Sequence, residues 1–295
     1  MRKIEREVEL KWRRATIKND LIFTWLFFEN KKLTLRLLQI ILPELNIKKV
    51  GDTQRENNQK KNKIYRGVRF DVLAEDEQGR TYDIEMQVAN NDDLGKRISY
   101  YQGKLSAKSL NEGEKFFEKR DTYVIFICDF DFFGLNLPMY HTTTRLEEDI
   151  NKVVDTGEYN VILNSRATDF STVSIEVKAF LEYVRDNKVT DDFTRSLDKE
   201  VVKIKSSTEV RESFMTWEEK LAEERYYAGK RAKEEARREL VINAIKNQEK
   251  LGNSRQDIID SVATFLGIDK SDVEKCYDEL LIKKWGKALW HGTKN

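Results

Sequence analysis

Asp71, Glu85 and Gln87 are the residues of this chain whose types and spacing best suit the binding of a hard metal ion. They lie in the segment 66–88, RGVRFDVLAEDEQGRTYDIEMQV, which predicts a β-hairpin. Side chains alternate between the two faces of a strand, so Glu85 and Gln87 share one face of the second arm. Two carboxylates and an amide on one face would bind a divalent cation through oxygen, and the backbone carbonyl of Met86 could add another ligand.

The turn of this hairpin determines which residues face each other. A three-residue loop, Glu77-Gln78-Gly79, with Gly79 in the left-handed conformation, pairs Asp76 with Arg80. Counting back from that pair places Asp71 opposite Glu85, with Cβ atoms roughly 5 Å apart, where two carboxylates repel each other unless a cation lies between them. The alternative interpretation is that this polar strip is merely the solvated face of a half-exposed hairpin.

The composition excludes several classes of function. With 53 Lys and Arg against 52 Asp and Glu, the 295-residue chain has a net charge of +1, so any nucleic-acid surface must be local. Two cysteines are too few for a disulfide framework and indicate a reducing compartment. Two histidines leave little material for a His-based zinc site or Ser-His-Asp catalysis. A charged N-terminus and the lack of a long apolar run predict a cytoplasmic protein without membrane association.

The elements around the hairpin follow from hydrophobic periodicity. Residues 19–42 fit one amphipathic helix, and residues 47–50 fit a short first strand. After the hairpin, residues 92–110 predict a helix, and the apolar run 123–128 predicts a strand covered on both faces. The order is helix, three strands, helix, strand, in which the last two elements form a crossover back into the sheet. This order predicts an α/β fold.

The C-terminal part of the chain predicts helices rather than more sheet. Residues 217–250 are highly charged with a thin apolar strip, which suits either a long exposed helix or a helix-pairing seam. A helix, a glycine turn and a second helix follow, and the second helix is acidic where base contacts would be made, which favours protein pairing. We therefore predict a core at 15–200, a helical linker at 201–250, a helix-turn-helix-like tail at 251–295, and a homodimer.

The motifs in this order resemble the core of the PD-(D/E)XK nuclease superfamily, with Asp71 on the second strand and Glu85-x-Gln87 on the third. The segments NDLIFTWLF, RFDVLAEDEQGRTYDIEMQV, RISYYQGKL and YVIFICDFDFF are similar to the bacterial recombination-promoting nuclease family, which is also described as a transposase family. FLEYVRDNKVTDDFTRSLDKEV and ESFMTWEEKLAEE extend the resemblance to about residue 224. It implies a restriction-endonuclease-like core (αβββαβ, a mixed sheet flanked by helices) with an α-helical C-terminal extension.

The resemblance also implies a DNA endonuclease that requires Mg²⁺, or Mn²⁺ or Ca²⁺, and is linked to recombination, mobile elements or defence against phage. Asp71 and Glu85 would hold the metal. Gln87 departs from the usual lysine of the superfamily but matches the resembled family, and its amide can orient water without supplying charge. Lys104 could supply the missing cation, or could equally be a solvated helix charge. Asp20 matches an acidic position of the family's first helix, or only caps that helix.

DNA contacts are expected from the basic and aromatic groups that flank this face, since phosphate binding by arginine requires only geometry and charge. Neighbouring residues on a helix point about 100° apart, so either Tyr100 or Tyr101 belongs to the core. No small-molecule cofactor is expected. The predicted DNA-contacting residues are Arg66, Arg69, Lys96, Arg97, Tyr100 and Gln102.

Two functions from different classes therefore stay open. The first is a metal-dependent DNA endonuclease that uses Asp71, Glu85 and Gln87. The second is a catalytically inactive DNA-binding or assembly protein derived from such a nuclease, in which the acidic face is retained for structure. A DNA-joining transposase ranks behind both, because strand transfer also requires a partner DNA end and usually an assembled oligomer.

Overall fold

The computed structural model describes residues 2–51, 54–55 and 72–291, with the side chains of 5–51 and 72–281. Asp71, Arg66 and Arg69 therefore lie outside the described residues. The chain divides into two compact units, Met1–Glu218 and Glu219–Asn295. In the described part of the chain, no helix is both long enough and apolar enough to cross a membrane.

A mixed β-sheet organises the first unit. In the described residues it has six strands in the order β1-β2-β3-β4-β6-β5. The β3–β4 and β4–β6 pairs are parallel, and the remaining pairs are antiparallel. The strands are β1 Gln54–Arg55, β2 Val72–Glu75, β3 Thr81–Gln87, β4 Thr122–Cys128, β5 Met139–Thr142 and β6 Glu158–Asn164.

Helices cover both faces of this sheet. The larger apolar cluster joins one sheet face to the helices α1, α2, α3, α5 and α6 and to the first turns of α7. The smaller cluster joins the opposite face to α4 alone among the helices. The helices are α1 Arg2–Arg14, α2 Asp20–Phe28, α3 Lys31–Ile41, α4 Leu94–Ser106, α5 Ile175–Asp186, α6 Asp192–Ser206 and α7 Thr208–Lys250.

The hairpin β2–β3 has the predicted turn and register over its described residues. The backbone N–H of Asp76 donates to the carbonyl of Arg80 at 3.1 Å, and Gly79 has a φ of 75°. Val72 pairs with Ile84, and Glu75 pairs with Thr81. The predicted order of helix, three strands, helix and strand is also confirmed.

The first helical segment differs from the prediction of one helix over 19–42. The chain forms α2 and α3 instead, because Asn30 caps a new helix by accepting a hydrogen bond from the N–H of Leu33 at 3.4 Å. Both helices bury their apolar residues in the same cluster. The hydrophobic periodicity therefore continues across the break, which is why it concealed the interruption.

The first strand was predicted too early, at 47–50. Only Val50 in this segment makes a β-bridge, to Asp76, and β1 follows at 54–55. The carbonyl of Ile47 accepts a hydrogen bond from the side chain of Gln39 at 2.8 Å, so this backbone is satisfied by a helix rather than by a strand. The polar, lysine-rich stretch 55–63, whose composition predicts a loop, lies outside the described residues except for the backbone of Arg55.

The second unit consists of helices. The C-terminal part of α7 packs with α8 Arg255–Leu266 and α9 Lys270–His291. Gly267 ends α8 with a φ of 63°, as expected for a left-handed helix cap. Before this cluster, every residue from 223 to 240 of α7 is exposed, so no face of the helix is buried over this range. The core of the unit contains Val241, Ile245, Ile258, Ile259, Val262, Ala263 and Val273.

Candidate active site

Two of the predicted site residues, Glu85 and Gln87, lie at the carboxyl end of β3, beside the parallel strand β4. Both lie within the last three residues of β3. The carbonyl of Gln87 accepts a hydrogen bond at 2.9 Å from the N–H of Asp129, which directly follows β4. Lys18, in the loop before α2, contacts the carboxylate of Asp129 at 3.0 Å. The carboxyl ends of parallel strands are where open α/β sheets bind their ligands.

The polar face of β3 is buried beneath α4. Asp83, Glu85 and Gln87 are 3%, 4% and 8% exposed. The alternative interpretation, a solvated strip on a half-exposed hairpin, is therefore wrong. Its physical error was to infer exposure from polarity alone, although α4 covers this face with a complementary charge at Arg97.

Glu85 has an incompletely satisfied carboxylate. Its Oε2 accepts a hydrogen bond from Nη2 of Arg97 at 2.9 Å. Its Oε1 is buried and accepts no hydrogen bond within the described part of the chain. A buried oxygen without a partner is costly and uncommon in folded proteins, so this atom marks a position where a cation or another donor would be favoured.

Arg97 is held firmly in the position from which it contacts Glu85. Its guanidinium carbon lies 5.8 Å from the ring centroid of Tyr101 and 5.7 Å from that of Phe126. Burial lowers the pKa of Arg97, but the charge of Glu85 and the contacts with Tyr101 raise it, and the net direction is upward. Arg97 was predicted to contact DNA, and this stays a prediction; in the structure its guanidinium is paired with the carboxylate of Glu85.

Asp20 brings a second acid to this edge. The side chain of Asn19 caps α2 by accepting from the N–H of Ile22 at 3.3 Å, so the alternative in which Asp20 caps the helix is wrong. The Asp20 residue is exposed to solvent. Nearby protein atoms nevertheless desolvate its carboxyl group partly, and this desolvation raises the pKa of that group. The charge of Glu85 raises that pKa further, and Arg97 opposes the shift. Asp20 therefore lies within electrostatic range of Glu85.

Gln87 and Met86 present one side-chain amide and one backbone carbonyl near Glu85. The amide of Gln87 donates from Nε2 to the carbonyl of Ala89 at 2.7 Å, which fixes the direction of the side chain. Carbonyls alternate in direction along a strand. Because the carbonyl of Gln87 points to the β4 side, that of Met86 points to the β2 side.

Lys104 is not brought to Glu85. Its ammonium lies over the rings of Tyr100 and Tyr101, at 5.6 and 5.8 Å from their centroids. It follows Arg97 by two helical turns, roughly 10 Å along the axis of α4. Burial, followed by the nearby Lys108, lowers the pKa of Lys104. Among the described residues, the cation paired with Glu85 is Arg97.

Three further predicted contacts on α4 fall into two groups. Tyr100 is 53% exposed and Lys96 is also exposed, whereas Tyr101 is buried, as expected for one member of that tyrosine pair. Gln102 is buried and donates from Nε2 to the hydroxyl of Thr122 at 2.5 Å. This contact ties α4 to the start of β4, so the prediction that Gln102 binds DNA is corrected.

A polar cluster around Asp129 was missed in the sequence. Its carboxylate accepts from Ser165 at 2.8 Å, Arg166 at 2.9 Å and Lys18 at 3.0 Å. Burial raises the pKa of Asp129, but these donors outweigh burial and the net direction is downward. Through Lys18, this cluster connects the loop before α2 to the ends of β4 and β6. Asp20 is the first residue of α2, directly after that loop. The available signal was an acid directly after the apolar run of β4.

The donors at this edge fit a hard divalent cation in chemical type. They are carboxylate oxygens, and the unpartnered Oε1 of Glu85 is one of them. In the described residues, no group of three or more His, Cys, Asp or Glu side chains is arranged to hold a metal ion. Asp71, the other predicted ligand, lies outside the described residues.

Comparison with known proteins identifies the family. A family model described as a PD-(D/E)XK nuclease family transposase matches residues 17–238. No curated protein and no solved structure matches the chain. The family match covers more than half of the 295 residues and includes the sheet, α4 and the edge that carries Asp20, Glu85 and Gln87. The chain therefore belongs to the PD-(D/E)XK nuclease family transposases.

Proposed function

We propose that this protein is a DNA endonuclease that depends on a divalent metal ion and uses Asp71, Glu85 and Gln87. Membership of the nuclease family supports the reaction class. The observation that carries the proposal is the carboxylate of Glu85, buried at the carboxyl edge of β3 with one oxygen unpartnered among the described residues. A cation at that oxygen would complete the site.

The chemistry requires charge to be neutralised at the scissile phosphate. A phosphodiester resists hydrolysis because its anionic oxygens repel an incoming nucleophile. Asp71 and Glu85, with the carbonyl of Met86, would hold Mg²⁺, with Mn²⁺ or Ca²⁺ as the other candidate ions. When bound, such an ion supplies Lewis-acid neutralisation of the phosphate.

The remaining groups would manage protons and orientation. Gln87 carries no charge, but its amide is fixed by the carbonyl of Ala89 and can orient a water molecule. Asp20 has a raised pKa and solvent access, which suits it to accept a proton at this edge. Lys104 is too far along α4 to share this task, so we propose no catalytic role for it.

DNA would approach over the exposed part of α4. Lys96 and Tyr100 are exposed there and could contact phosphate and base surfaces, respectively. Arg66 and Arg69 stay sequence-based proposals for the same surface.

The homodimer, the cytoplasmic location and the link to recombination, mobile elements or phage defence are likewise proposals, as is the division at residues 200 and 250.

A second candidate is a DNA-binding or assembly protein without catalytic activity. One observation favours it specifically, namely that Arg97 already neutralises Glu85 and helps to bury it. In that case the acidic edge would be maintained by the ion pair and would require no metal. The two candidates differ in whether purified protein breaks phosphodiester bonds.

Nicking of supercoiled plasmid DNA tests the proposal. The parent protein is incubated with Mg²⁺, Mn²⁺ or Ca²⁺ and compared with Asp71→Asn and Glu85→Gln. Glu182→Gln is the matched control, because Glu182 on α5 is also a buried carboxylate in an ion pair, here with Lys188 at 3.1 Å, just after that helix. We expect nicking by the parent and the control, and loss in both site variants. Activity that persists in both site variants would reject the site, and no activity with any ion would favour the second candidate.

A further inference from the structure

We propose that Arg97 is a positioning residue for the cation site: it binds one oxygen of Glu85 and leaves the other oxygen directed to a divalent cation. This inference rests on the proposed function, since it assumes that Glu85 is a metal ligand. It assigns to Arg97 a role different from the DNA contact predicted from sequence.

The packing of α4 determines where Arg97 lies. Leu94, Ile98, Tyr101 and Leu105 form the buried stripe of the helix and pack against the apolar face of β4 and β6. Arg97 precedes Ile98 and therefore lies at the margin of that stripe, with 30% of its side chain exposed. From there the guanidinium reaches inward to Glu85 on β3.

Aromatic contacts restrict the orientation of the guanidinium. It lies within 6 Å of the ring centroids of both Tyr101 and Phe126. Arginine stacks on aromatic rings through its planar guanidinium, which lysine cannot reproduce. Arg97 is thus a pre-oriented donor rather than a mobile surface charge.

The contact with Glu85 is one-sided. Arginine commonly binds a carboxylate through two parallel hydrogen bonds, but here only Nη2 and Oε2 are joined. The other oxygen stays buried without a hydrogen bond from the described residues. Metal-binding carboxylates are themselves usually held by a hydrogen bond to an outer partner, and the pair Arg97–Glu85 has this arrangement.

A competing interpretation makes the opposite prediction. If Arg97 were a substitute cation that a metal ion must displace, removal of Arg97 would strengthen metal binding. If Arg97 positions Glu85, its removal would weaken metal binding. The direction of the change in affinity therefore separates the two roles without any measurement of DNA cleavage.

The experiment is titration of the full-length, metal-free protein with Mn²⁺, with free Mn²⁺ followed by electron paramagnetic resonance. We expect Arg97→Met to weaken Mn²⁺ binding by about 10- to 100-fold, the usual effect of removing an outer partner of a metal ligand. Arg211→Met is the control, because Arg211 is also a partly exposed arginine paired with a carboxylate, that of Glu9 at 2.7 Å. We expect its Mn²⁺ affinity to equal that of the parent.

Two further variants keep the outcome decisive. Circular dichroism checks folding, and if Arg97→Met does not fold, Arg97→Lys decides, with an expected loss of about threefold or more because lysine cannot stack in the same way. If Glu85→Gln keeps measurable Mn²⁺ binding, adding Arg97→Met to it should not weaken that binding further, since Arg97 acts through Glu85. Unchanged or tighter binding in the folded Arg97 variant would overturn the proposal.

Failure of the metal site itself gives a different result. If Glu85→Gln abolishes Mn²⁺ binding while Arg97→Met leaves it intact, only the role of Arg97 is rejected. If the parent binds no Mn²⁺, or Glu85→Gln binds it as tightly as the parent, the proposed metal site is rejected, and the role of Arg97 with it.

Discussion

Two buried carboxylates, Asp76 in the turn before β3 and Glu85 near the carboxyl end of β3, differ in how completely their hydrogen-bonding capacity is satisfied. At the turn end, the side chain of Asp76 has no exposed surface. Its Oδ1 accepts from the N–H groups of Gln78 and Arg80, at 2.9 and 3.0 Å. Its Oδ2 accepts from Nε of Arg80 at 2.5 Å and from the hydroxyl of Tyr82 at 2.7 Å. Every acceptor direction at this end is used to close the hairpin.

At the other end, Glu85 is buried almost as completely but has only the hydrogen bond from Arg97. Of these two buried acids of the hairpin, Asp76 therefore completes the structure, whereas Glu85 has spare binding capacity. The first should contribute mainly to stability, and the second mainly to ligand binding. Four substitutions test this division by their effect on the free energy of unfolding.

Asp76→Ala should have the largest effect. It leaves the charge of Arg80 and the hydroxyl of Tyr82 buried without their acceptor, and loss of one partner from a buried ion pair costs about 3–5 kcal/mol. Urea unfolding followed by tryptophan fluorescence measures the change. The exposed neighbour Glu75→Ala is the control, with an expected change below about 0.5 kcal/mol. A loss for Asp76→Ala no larger than that of the control would contradict the structural role of Asp76.

Asp129→Asn should cause the second-largest loss in the free energy of unfolding. It tests whether the location of a buried acid or the number of its hydrogen bonds determines its contribution to stability. Asp129 lies at the same edge as Glu85 but is fully engaged by Ser165, Arg166 and Lys18. We therefore expect it to behave like Asp76, with a loss of about 2 kcal/mol at pH 7 from the weakened hydrogen bonds to charged groups.

The pH dependence of that loss has a definite sign. Since the pKa of Asp129 is lower in the folded state, its stabilisation is present above the unfolded pKa of about 4 and is lost as pH falls through the lower folded value. The difference between parent and variant should thus shrink steadily below pH 4 in urea titrations. Asp192→Asn, at a nearly fully exposed acid, serves as the control. A difference that is independent of pH would show that charge is not the cause.

Gly79→Ala should have a smaller effect, confined to the turn end. Gly79 has a φ of 75°, where an alanine costs about 1–2 kcal/mol, and its new Cβ would approach Cδ of the flexible Arg120 side chain to 3.0 Å. Gly103→Ala is the matched control. It lies within α4 with open space around its Cβ position, so it should stabilise the protein by about 1 kcal/mol. Thermal unfolding should show a lower melting temperature for Gly79→Ala and a higher one for Gly103→Ala. A change of the same sign in both variants would contradict the strain at Gly79.

The sequence predicted the turn end better than the site end for a physical reason. The turn around Gly79 follows from local rules, so its pairing of Asp76 with Arg80 and the register from Val72 onward were predictable. Contacts at the site end depend on how α4 is rotated against the sheet. Neighbour geometry predicted that one tyrosine of α4 is buried, but not that Arg97 would point to Glu85.

Long sequence separations hid the rest of the site. Lys18, Asp129 and Arg166 meet although they come from three distant parts of the chain, and no local pattern joins them. The break between α2 and α3 was hidden for the opposite reason, since both helices continue the same apolar periodicity into one core. Interactions set by tertiary packing are therefore the part of this site that sequence reasoning could not reach.

Glu85→Gln should have the smallest effect on stability of the four, although it removes a buried charge. Arg97 keeps 30% of its side chain exposed, so its charge stays partly hydrated after the ion pair is lost. The raised pKa of Asp20, caused first by desolvation and then by Glu85, shows that removal of the Glu85 charge also relieves a repulsion. These effects oppose each other, and we expect the free energy of unfolding in urea to change by no more than about 1 kcal/mol. The rate of plasmid nicking should fall by about a thousandfold, which is roughly 4 kcal/mol of transition-state stabilisation. A stability loss as large as that of Asp76→Ala would mean that Glu85 is retained for the fold, and the contrast between the two ends of β3 would disappear.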